Sequence, residues 1–565
     1  MTHFLDALDT LARRTPDVVA LRWFGGRDGA RVREEVTFGD LADRVERTAS
    51  GLRALGMAPG DRVLFSIRPR PEGVVLCLAV LRAGGAVVFV DPGSTPELFA
   101  ARIAAARPRW AATESLLYAV SSGALRPVAR SRGLLLPDYG RLPVRHLYAG
   151  PWLPGVPRGA RRVARLGRTT PAPAARPGGG SDLDAVALVV FTSGTTSDPK
   201  AVVHTARTLG GMLGLFAQVG DLRPGQRAHT DQMFLGLPAL LAGGTWEIPA
   251  RAPKDSPEAF ARGVVGADSS FLVPADVTAL LDVLEGRSTG TAAVGPAVLA
   301  VGAAPVTVAL LERARRVLPG TRWLAVYGAT EILPAAVTDA DEKIAAAASG
   351  DLVGRPLDGI GVRIDTTVVD AIGDGDAVGD GDAVGEGDAV GDGDAVGELV
   401  LTGPSLMAGY LSDVDAGRPP ATEHRTGDLA YQDARGRIVL VGRNRDMIIR
   451  GTVNIYPGLF EPRLRELPGV ADAVLVGVPV PDGDERVVLV VAAEDVPAGA
   501  HWPGARTDTA LTRAVTARLG DVLDHGALPD LVVEVARVPL AGRSRKPDRR
   551  LLVNWVSSLA GTVRA

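Results

Sequence analysis

Ala185-Val-Ala-Leu-Val-Val-Phe-Thr-Ser-Gly-Thr-Thr-Ser-Asp-Pro-Lys200 is the stretch on which the reading of the whole chain turns. Its first seven residues are a continuous apolar run rich in β-branched valine, which predicts a buried strand. The run passes straight into Thr192, Ser193, Gly194, Thr195 and Thr196, and Pro199 and Lys200 close the segment. Glycine leaves backbone N–H groups free to point at an anion, and hydroxyls with one lysine complete a phosphate cradle. A Walker A loop would carry Gly-Lys-Ser/Thr after four intervening residues, so this loop is of another kind.

Outward from this stretch the same alternation repeats. Asp61-Arg-Val-Leu-Phe-Ser-Ile67 reads as a strand, Gly73 to Ala83 as a helix and Ala86-Val-Val-Phe-Val90 as a second strand closed by Asp91-Pro-Gly93. Strand–helix–strand spacing of this kind predicts a parallel sheet with crossover helices. Residues 4–56 read as helices with one short strand, and Leu41, Val45 and Leu52 mark one apolar helical face. Residues 124–180, rich in Arg, Pro and Gly, predict irregular or weakly helical surface structure. Val298-Leu-Ala-Val301 is a further strand, with a helix expected over Val306–Val317, and Trp323-Leu-Ala-Val-Tyr-Gly328 repeats the pattern. From about residue 360, Val, Thr and tight turns predict a smaller antiparallel region. Gly442-Arg-Asn-Arg-Asp446 is a polar break, where the domain boundary is expected.

Residues 373–396 are four hexapeptides, GDGDAV, GDGDAV, GEGDAV and GDGDAV. Their acidic oxygens suit calcium in principle, but the period matches neither the EF-hand loop nor the nonapeptide calcium repeat. Flanked by strand-like Val362–Val369 and Glu398–Leu401, they read as an expanded, solvated hairpin loop.

Composition narrows the function classes. A chain of 565 residues exceeds one hydrophobic core, so two or more domains are expected. The net charge of −3 leaves no electrostatic footprint for nucleic acid. No apolar run reaches the ~18 residues of a membrane span. The N-terminal Met1-Thr-His-Phe-Leu-Asp carries an acid early and lacks a secretory pattern, so a cytoplasmic location is expected. The single cysteine, Cys77, lies in an apolar run and reads as a small buried hydrophobe. Lysine is scarce: Lys200, Lys254, Lys343 and Lys546 are all there are among 62 basic side chains. Lys200 and Lys546 fall inside motif-like sequence, whereas Lys254 and Lys343 carry no motif and are expected to be solvated.

The loop at 192–200 resembles the phosphate loop of the adenylate-forming superfamily, which includes acyl-CoA synthetases, luciferases and adenylation domains. It differs at Ser197 and Ala201, where glycines are usual. Further motifs follow in that family's order. Gly302-Ala303-Ala304-Pro305 resembles the turn that lies along the adenine. Tyr327-Gly328-Ala329-Thr330-Glu331 resembles the nucleotide motif, in which the resemblance implies that Thr330 meets the α-phosphate and Glu331 holds magnesium. Thr426-Gly-Asp428 resembles the ribose motif, with Asp428 accepting both hydroxyls. Gly442-Arg443 resembles a second ribose contact, and Arg445 falls at the hinge position. Gly451-Thr-Val-Asn-Ile-Tyr-Pro457 resembles the segment that packs on the active site after the C-terminal domain turns. Lys546, in Gly542-Arg-Ser-Arg-Lys-Pro-Asp-Arg549, falls at the catalytic lysine of that domain.

The resemblance implies an α/β fold: a large N-terminal domain of doubly wound sheets plus a small β-barrel, residues 1–443, and a small mobile α+β lid, residues 444–565. It implies ATP and Mg2+ as cofactors and a small carboxylic acid as substrate. His204, Met233, Phe234, Gly302 and Gly328 are the expected lining of the acyl pocket, with His204 equally readable as a structural histidine. Asp231-Gln-Met-Phe-Leu-Gly-Leu-Pro-Ala-Leu240 is mostly apolar, which suits an aliphatic acyl group.

Several segments are similar to the olefin β-lactone synthetase branch, including Tyr327 to Val337, Gly350-Asp-Leu-Val-Gly-Arg-Pro356, Val90 to Gly93 and Arg543 to Arg549. That branch adenylates a β-hydroxy acid, whose own 3-hydroxyl then displaces AMP without coenzyme A. Gly403-Pro-Ser-Leu-Met-Ala-Gly-Tyr410 and Arg450 to Pro457 are similar to ordinary acyl-CoA ligases instead. Thioester formation with coenzyme A or a carrier protein therefore stays open, with pathway enzymes as further partners. A non-catalytic adenylate-binding protein is the reading of another class; intact Lys200, Glu331, Asp428 and Lys546 argue against it.

Overall fold

The structure is a computed structural model and describes residues 3–26, 29–90, 96–122, 137–166, 182–191, 200–286, 294–304, 306–346, 351–366, 396–442, 448–450, 453–455, 457–480, 485–494, 506–523, 525–541 and 546–560. The strand that opens the reading forms as Val186–Phe191. It pairs parallel to Ala86–Phe89 and antiparallel to Ala201–Thr205, with Phe191 opposite Ala201. The candidate phosphate loop therefore joins two neighbouring strands of one sheet. That sheet runs Gly409–Tyr410, Ala201–Thr205, Val186–Phe191, Ala86–Phe89, Arg62–Ser66, Trp110–Glu114, Arg145–Ala149, Arg161–Arg162. All its pairings from Val186–Phe191 to Arg161–Arg162 are parallel.

A second sheet has a parallel half in the order Arg322–Ala329, Val298–Val301, Ser269–Leu272, Arg227–His229, Thr245–Ile248, Val19–Gly25. The edge strand Arg31–Thr37 closes this half, antiparallel to Val19–Gly25. Beyond Arg322–Ala329 the sheet turns antiparallel through Ile332–Asp339, Asp351–Pro356, Ile438–Gly442, His424–Gln432, Gly397–Thr402 and Gly361–Asp365. The antiparallel region, expected from about residue 360, already begins at Ile332, and it continues the large sheet. After residue 448, a three-stranded sheet of Val470–Pro479, Glu485–Ala493 and Leu531–Val535 carries the helices Pro457–Arg465 and Arg549–Ala560.

The largest core cluster is built around the helix Pro71–Arg82, in which every residue from Gly73 to Leu81 is buried. A helix that is apolar all round has no solvent face and must lie inside. It packs on Phe38–Ala54, whose Phe38, Leu41, Val45, Ala49 and Leu52 are spaced to form one buried stripe. Burial of each of the four larger side chains contributes about 1.5–3 kcal/mol relative to exposure. Cys77 is fully buried there and its thiol is pushed up to about 12 by burial, consistent with a packing role.

Three expectations need correction. The Arg/Pro/Gly-rich region contains a regular strand, Arg145–Ala149, which pairs parallel to Trp110–Glu114. Residues 4–56 contain two strands rather than one, because Arg31–Thr37 is an edge strand whose charged residues face water. Lys343 is buried, not solvated: its Nζ is ion-paired with Asp351 and donates to the Leu352 carbonyl at 2.7 Å. Lys254 is exposed as expected. Among the described residues no helix is long and apolar enough to cross a membrane. The hexapeptides fall almost wholly outside the described residues, but their flanks, Gly361–Asp365 and Gly397–Thr402, pair as a hairpin with Asp365 opposite Glu398.

Candidate active site

Four of the sequence motifs meet where strands end. Arg322–Ala329 runs out at Tyr327, Gly328 and Ala329, and Thr330 and Glu331 form its turn into Ile332–Asp339, with Ala329 opposite Ile332. Beside it, Val298–Val301 ends at Gly302, where a Cβ would stand 2.9 Å from the Val326 carbonyl oxygen and 3.2 Å from Phe271 Cζ. Only a residue without a side chain fits that approach. Ala303 follows with φ +66°, in the left-handed region that alanine rarely adopts. Such a conformation persists only where the surroundings over-determine it.

The turn is held from two sides. His204 is 1% exposed, and its Nε2 lies 3.0 Å from the Thr330 carbonyl oxygen. A carbonyl only accepts, so Nε2 carries the proton, and Nδ1, 3.3 Å from Thr208 Oγ1, accepts from that hydroxyl. Burial lowers the His204 pKa, which keeps the ring neutral and this tautomer in place. Expected in the acyl pocket, His204 thus has both ring nitrogens committed to Thr330 and Thr208. From the other side, the Met407 N–H donates to the Glu331 carbonyl at 2.7 Å, and Tyr410 Oη donates to Glu331 Oε1 at 3.1 Å. Burial and the Glu331 charge push the Tyr410 phenol pKa up, so it remains a donor. The same ring lies beneath Lys200, whose Nζ is 5.3 Å from its centroid. Tyr410 therefore touches both the carboxylate of the nucleotide motif and the cation that ends the phosphate loop.

The ribose motif arrives on the strand His424–Gln432. Tyr327 Oη donates to Asp428 Oδ2 at 2.5 Å, and the Asp428 N–H donates to Thr426 Oγ1 at 3.1 Å. Gly427, at φ +73°, makes the bend between them. His424 begins the same strand, which bulges between Arg425 and Leu429, and it stands within electrostatic reach of Glu331, Asp428 and Lys200. Burial lowers its pKa, against the raising influence of Glu331 and Asp428, and nearby Lys200 lowers it further. His424 and Tyr410 are the site residues that the motifs did not flag. His424 gave no periodic signal, because the bulge around Gly427 breaks the alternation between it and Asp428; for Tyr410 the signal was its place at the end of an already noted glycine segment.

On the pocket side, Met233 is buried at the start of the helix Met233–Leu241. Phe234 sets its ring edge-on to Phe89, centroids 5.6 Å apart at 89°. Asp231, just before this helix, has its carboxyl pushed up to about 6 by burial and by Asp276, with Lys254 and His229 opposing. The loop residues Thr192, Ser193, Gly194, Thr195 and Thr196, together with Arg443 and Arg445, lie outside the described residues. Lys546 is placed by its backbone alone, opposite Ala541 in the two-stranded ribbon Leu540–Ala541 and Lys546–Pro547.

Magnesium bound with a nucleotide takes one or two carboxylates plus phosphate oxygens and water. Glu331, a single carboxylate near Lys200, fits that need, and no group of three or more potential metal ligands occurs among the described residues.

An α/β fold that gathers Lys200, Tyr327, Glu331, Tyr410 and Asp428 at its strand ends is the arrangement expected of an adenylate-handling enzyme. Residues 8–411 match the family model described as AMP-binding enzyme, and the chain belongs to that family. It is 29% identical over 558 residues to an olefin beta-lactone synthetase of Xanthomonas campestris pv. campestris, covering 93% of both chains. It is 28% identical to a 3-[(3aS,4S,7aS)-7a-methyl-1,5-dioxo-octahydro-1H-inden-4-yl]propanoyl:CoA ligase of Mycobacterium tuberculosis, covering 97% of this chain and 98% of that one. An amide bond synthetase from Marinactinospora thermotolerans shares the fold, with a TM-score of 0.72 at 24% identity over 98% of this chain and 99% of that one.

Proposed function

We propose that the chain activates a carboxylic acid as its acyl-AMP and then closes the acyl group to a β-lactone. In the first step a carboxylate oxygen attacks the α-phosphorus of ATP, the bond to the β-phosphate breaks, and pyrophosphate leaves. In the second, the 3-hydroxyl oxygen of the same acid attacks the acyl carbon. The bond to AMP breaks, AMP departs with its electron pair, and the hydroxyl proton passes to solvent or a nearby base. Residues 1–443 act as the adenylation domain and 444–565 as a lid, with Arg445 at the hinge.

The Tyr410 contact carries the adenylation step of this reading: one side chain bonds the Glu331 carboxylate and lies under the Lys200 cation, which brings together the two charges that a bound triphosphate and its metal need. Thr192 to Thr196 and Lys200 cradle the phosphates, and Thr330 meets the α-phosphate. Gly302 to Ala304 and Tyr327 to Ala329 flank the adenine, while Asp428 and Arg443 take the ribose. Glu331 would hold magnesium, which would supply positive charge to the phosphate oxygens. Lys546 adds a mobile positive charge from the lid, and its value rises as water is excluded. An intramolecular hydroxyl reaches a high effective molarity once its conformation is fixed, so orientation and dryness suffice for closure.

A thioester-forming second step is the other reading, favoured by the similarity to a CoA ligase and to a fatty acid–[acyl-carrier-protein] ligase of Mycobacterium marinum. The deciding experiment incubates the protein with ATP, magnesium and a panel of 3-hydroxy acids, with and without coenzyme A, and follows pyrophosphate and product mass. A product at the acid mass less one water, independent of coenzyme A, is the expected result. Product only in the presence of coenzyme A or a carrier protein overturns lactone formation.

A further inference from the structure

The end of the eight-stranded sheet at which its parallel strands begin holds a second feature. Where Arg62–Ser66, Trp110–Glu114 and Arg145–Ala149 begin, Gly60, Asp61, Arg62, Arg107, Arg109 and Arg145 line an open cavity of about 580 Å³. The three strands that start here are five residues long, so the cavity lies about 15–20 Å along the strand direction from the end of the sheet that carries the candidate active site. Its size is that of a small-molecule pocket, and its lining is basic rather than apolar.

The four guanidiniums are held in place by protein groups. Asp61 accepts from Arg109 Nη1 at 3.0 Å and from Trp110 Nε1 at 3.0 Å. Arg145 donates to the Leu55 carbonyl at 2.6 Å and stacks 5.1 Å over the Trp110 ring. Arg62 and Arg107 are both ion-paired to Asp415. Four arginines against two carboxylates leave a surplus of two positive charges around the cavity. Arg107 also takes φ +45°, just past the end of the helix Pro96–Ala106, with its N–H donating to the Ile103 carbonyl. Glycine or asparagine is the usual residue there. Placing an arginine in this conformation fixes where its fork starts.

Asp415 ends the short helix Leu411–Asp415, and the residue before that helix is Tyr410. The cavity is thereby linked by one helical turn to the phenol that bonds Glu331 and underlies Lys200.

We propose that this cavity binds a small phosphate-bearing molecule, that Asp415 occupies part of the anion's place when it is absent, and that binding loosens the helix leading to Tyr410. Planar guanidiniums match phosphate oxygens with paired N–H donors, and several of them around one cavity suit an anion with more acceptor oxygens than the two of a carboxylate. An arriving phosphate competes with the Asp415 carboxylate for Arg62 and Arg107, and the helix loses its tether to the sheet. The coupling to catalysis rests on the adenylation reading above, but the binding does not.

The test is calorimetric titration of the full-length protein with inorganic phosphate and, separately, with fructose 1,6-bisphosphate, under saturating AMP to occupy the nucleotide site. Binding is expected in the wild type, weakened about tenfold in Arg107→Gln and in Arg145→Gln. In Asp415→Asn, where the competing charge is gone, binding is expected to tighten. Thermal melting of each variant separates lost binding from lost folding. Tighter binding of the bisphosphate than of phosphate would identify a phosphorylated metabolite; equal binding would identify free phosphate. Absence of binding in the wild type, or affinity untouched by both arginine substitutions, overturns the site. An unchanged or weaker affinity in Asp415→Asn overturns the competition. Amide exchange at 411–417 that does not quicken when either probe binds overturns the loosening.

Discussion

Two side chains at the site make sharply different demands, and each gives a measurable consequence. Tyr410 donates to Glu331 while its ring supports Lys200. Tyr410→Phe keeps the ring and removes the donor. A hydrogen bond to a charged group contributes about 1.5–3 kcal/mol, so acid-dependent pyrophosphate release should fall about tenfold or more, with the melting temperature little changed. A wild-type rate would separate Tyr410 from the chemistry. Asp231 tests a pH dependence. Its carboxyl is pushed from 3.8 to about 6, so the folded state holds a proton that the unfolded state has already released across that window. Stability therefore drops as pH rises from about 4 to about 6, and the full penalty remains above that range. Asp231→Asn should raise stability at neutral pH by about 1–2 kcal/mol, a gain that vanishes below pH ~4. Denaturant midpoints across that range would show it, and a gain that is the same at all pH values would contradict it.

At the scale of elements, packing is set by close approaches that the residue pattern only partly announces. Gly236, in the helix Met233–Leu241, lies so near Trp246 that a Cβ would stand 1.9 Å from the indole ring. Gly236→Ala should cost about 2–4 kcal/mol as the ring or helix shifts, read as a clear fall in melting temperature. An unchanged melting temperature would mean that the helix–strand contact is looser than described. The strands that carry the site were legible because apolar runs ended at glycine or hydroxyl clusters: Val186–Phe191, Val298–Val301 and Arg322–Ala329 all follow that rule. Arg145–Ala149 was not legible, since Arg145 and His146 break its apolar run within an Arg/Pro-rich stretch. Arg31–Thr37 hid for the opposite reason, as an exposed edge strand carries charges where the pattern looks for hydrophobes. Lys343 looked solvated because its partner, Asp351, comes near only when the strand Asp351–Pro356 folds back beside Ile332–Asp339. The motifs named Tyr327, Glu331 and Asp428, but pairings such as Tyr327 with Asp428 join residues 101 positions apart. No local pattern reports a contact of that kind.

At the scale of the whole molecule, the site described around Glu331 and Asp428 is built from residues before 443, whereas Lys546 belongs to the unit after 448. Adenylation in this account needs both. Exchange of labelled pyrophosphate into ATP, dependent on added acid, reports that step directly and is indifferent to what later receives the acyl group. The wild-type protein is predicted to catalyse this exchange with at least one 3-hydroxy acid. Lys546→Ala is predicted to lose it while still consuming a preformed acyl-AMP. Exchange at the wild-type rate in Lys546→Ala, or none from the wild-type protein with any acid of the panel, would contradict the account.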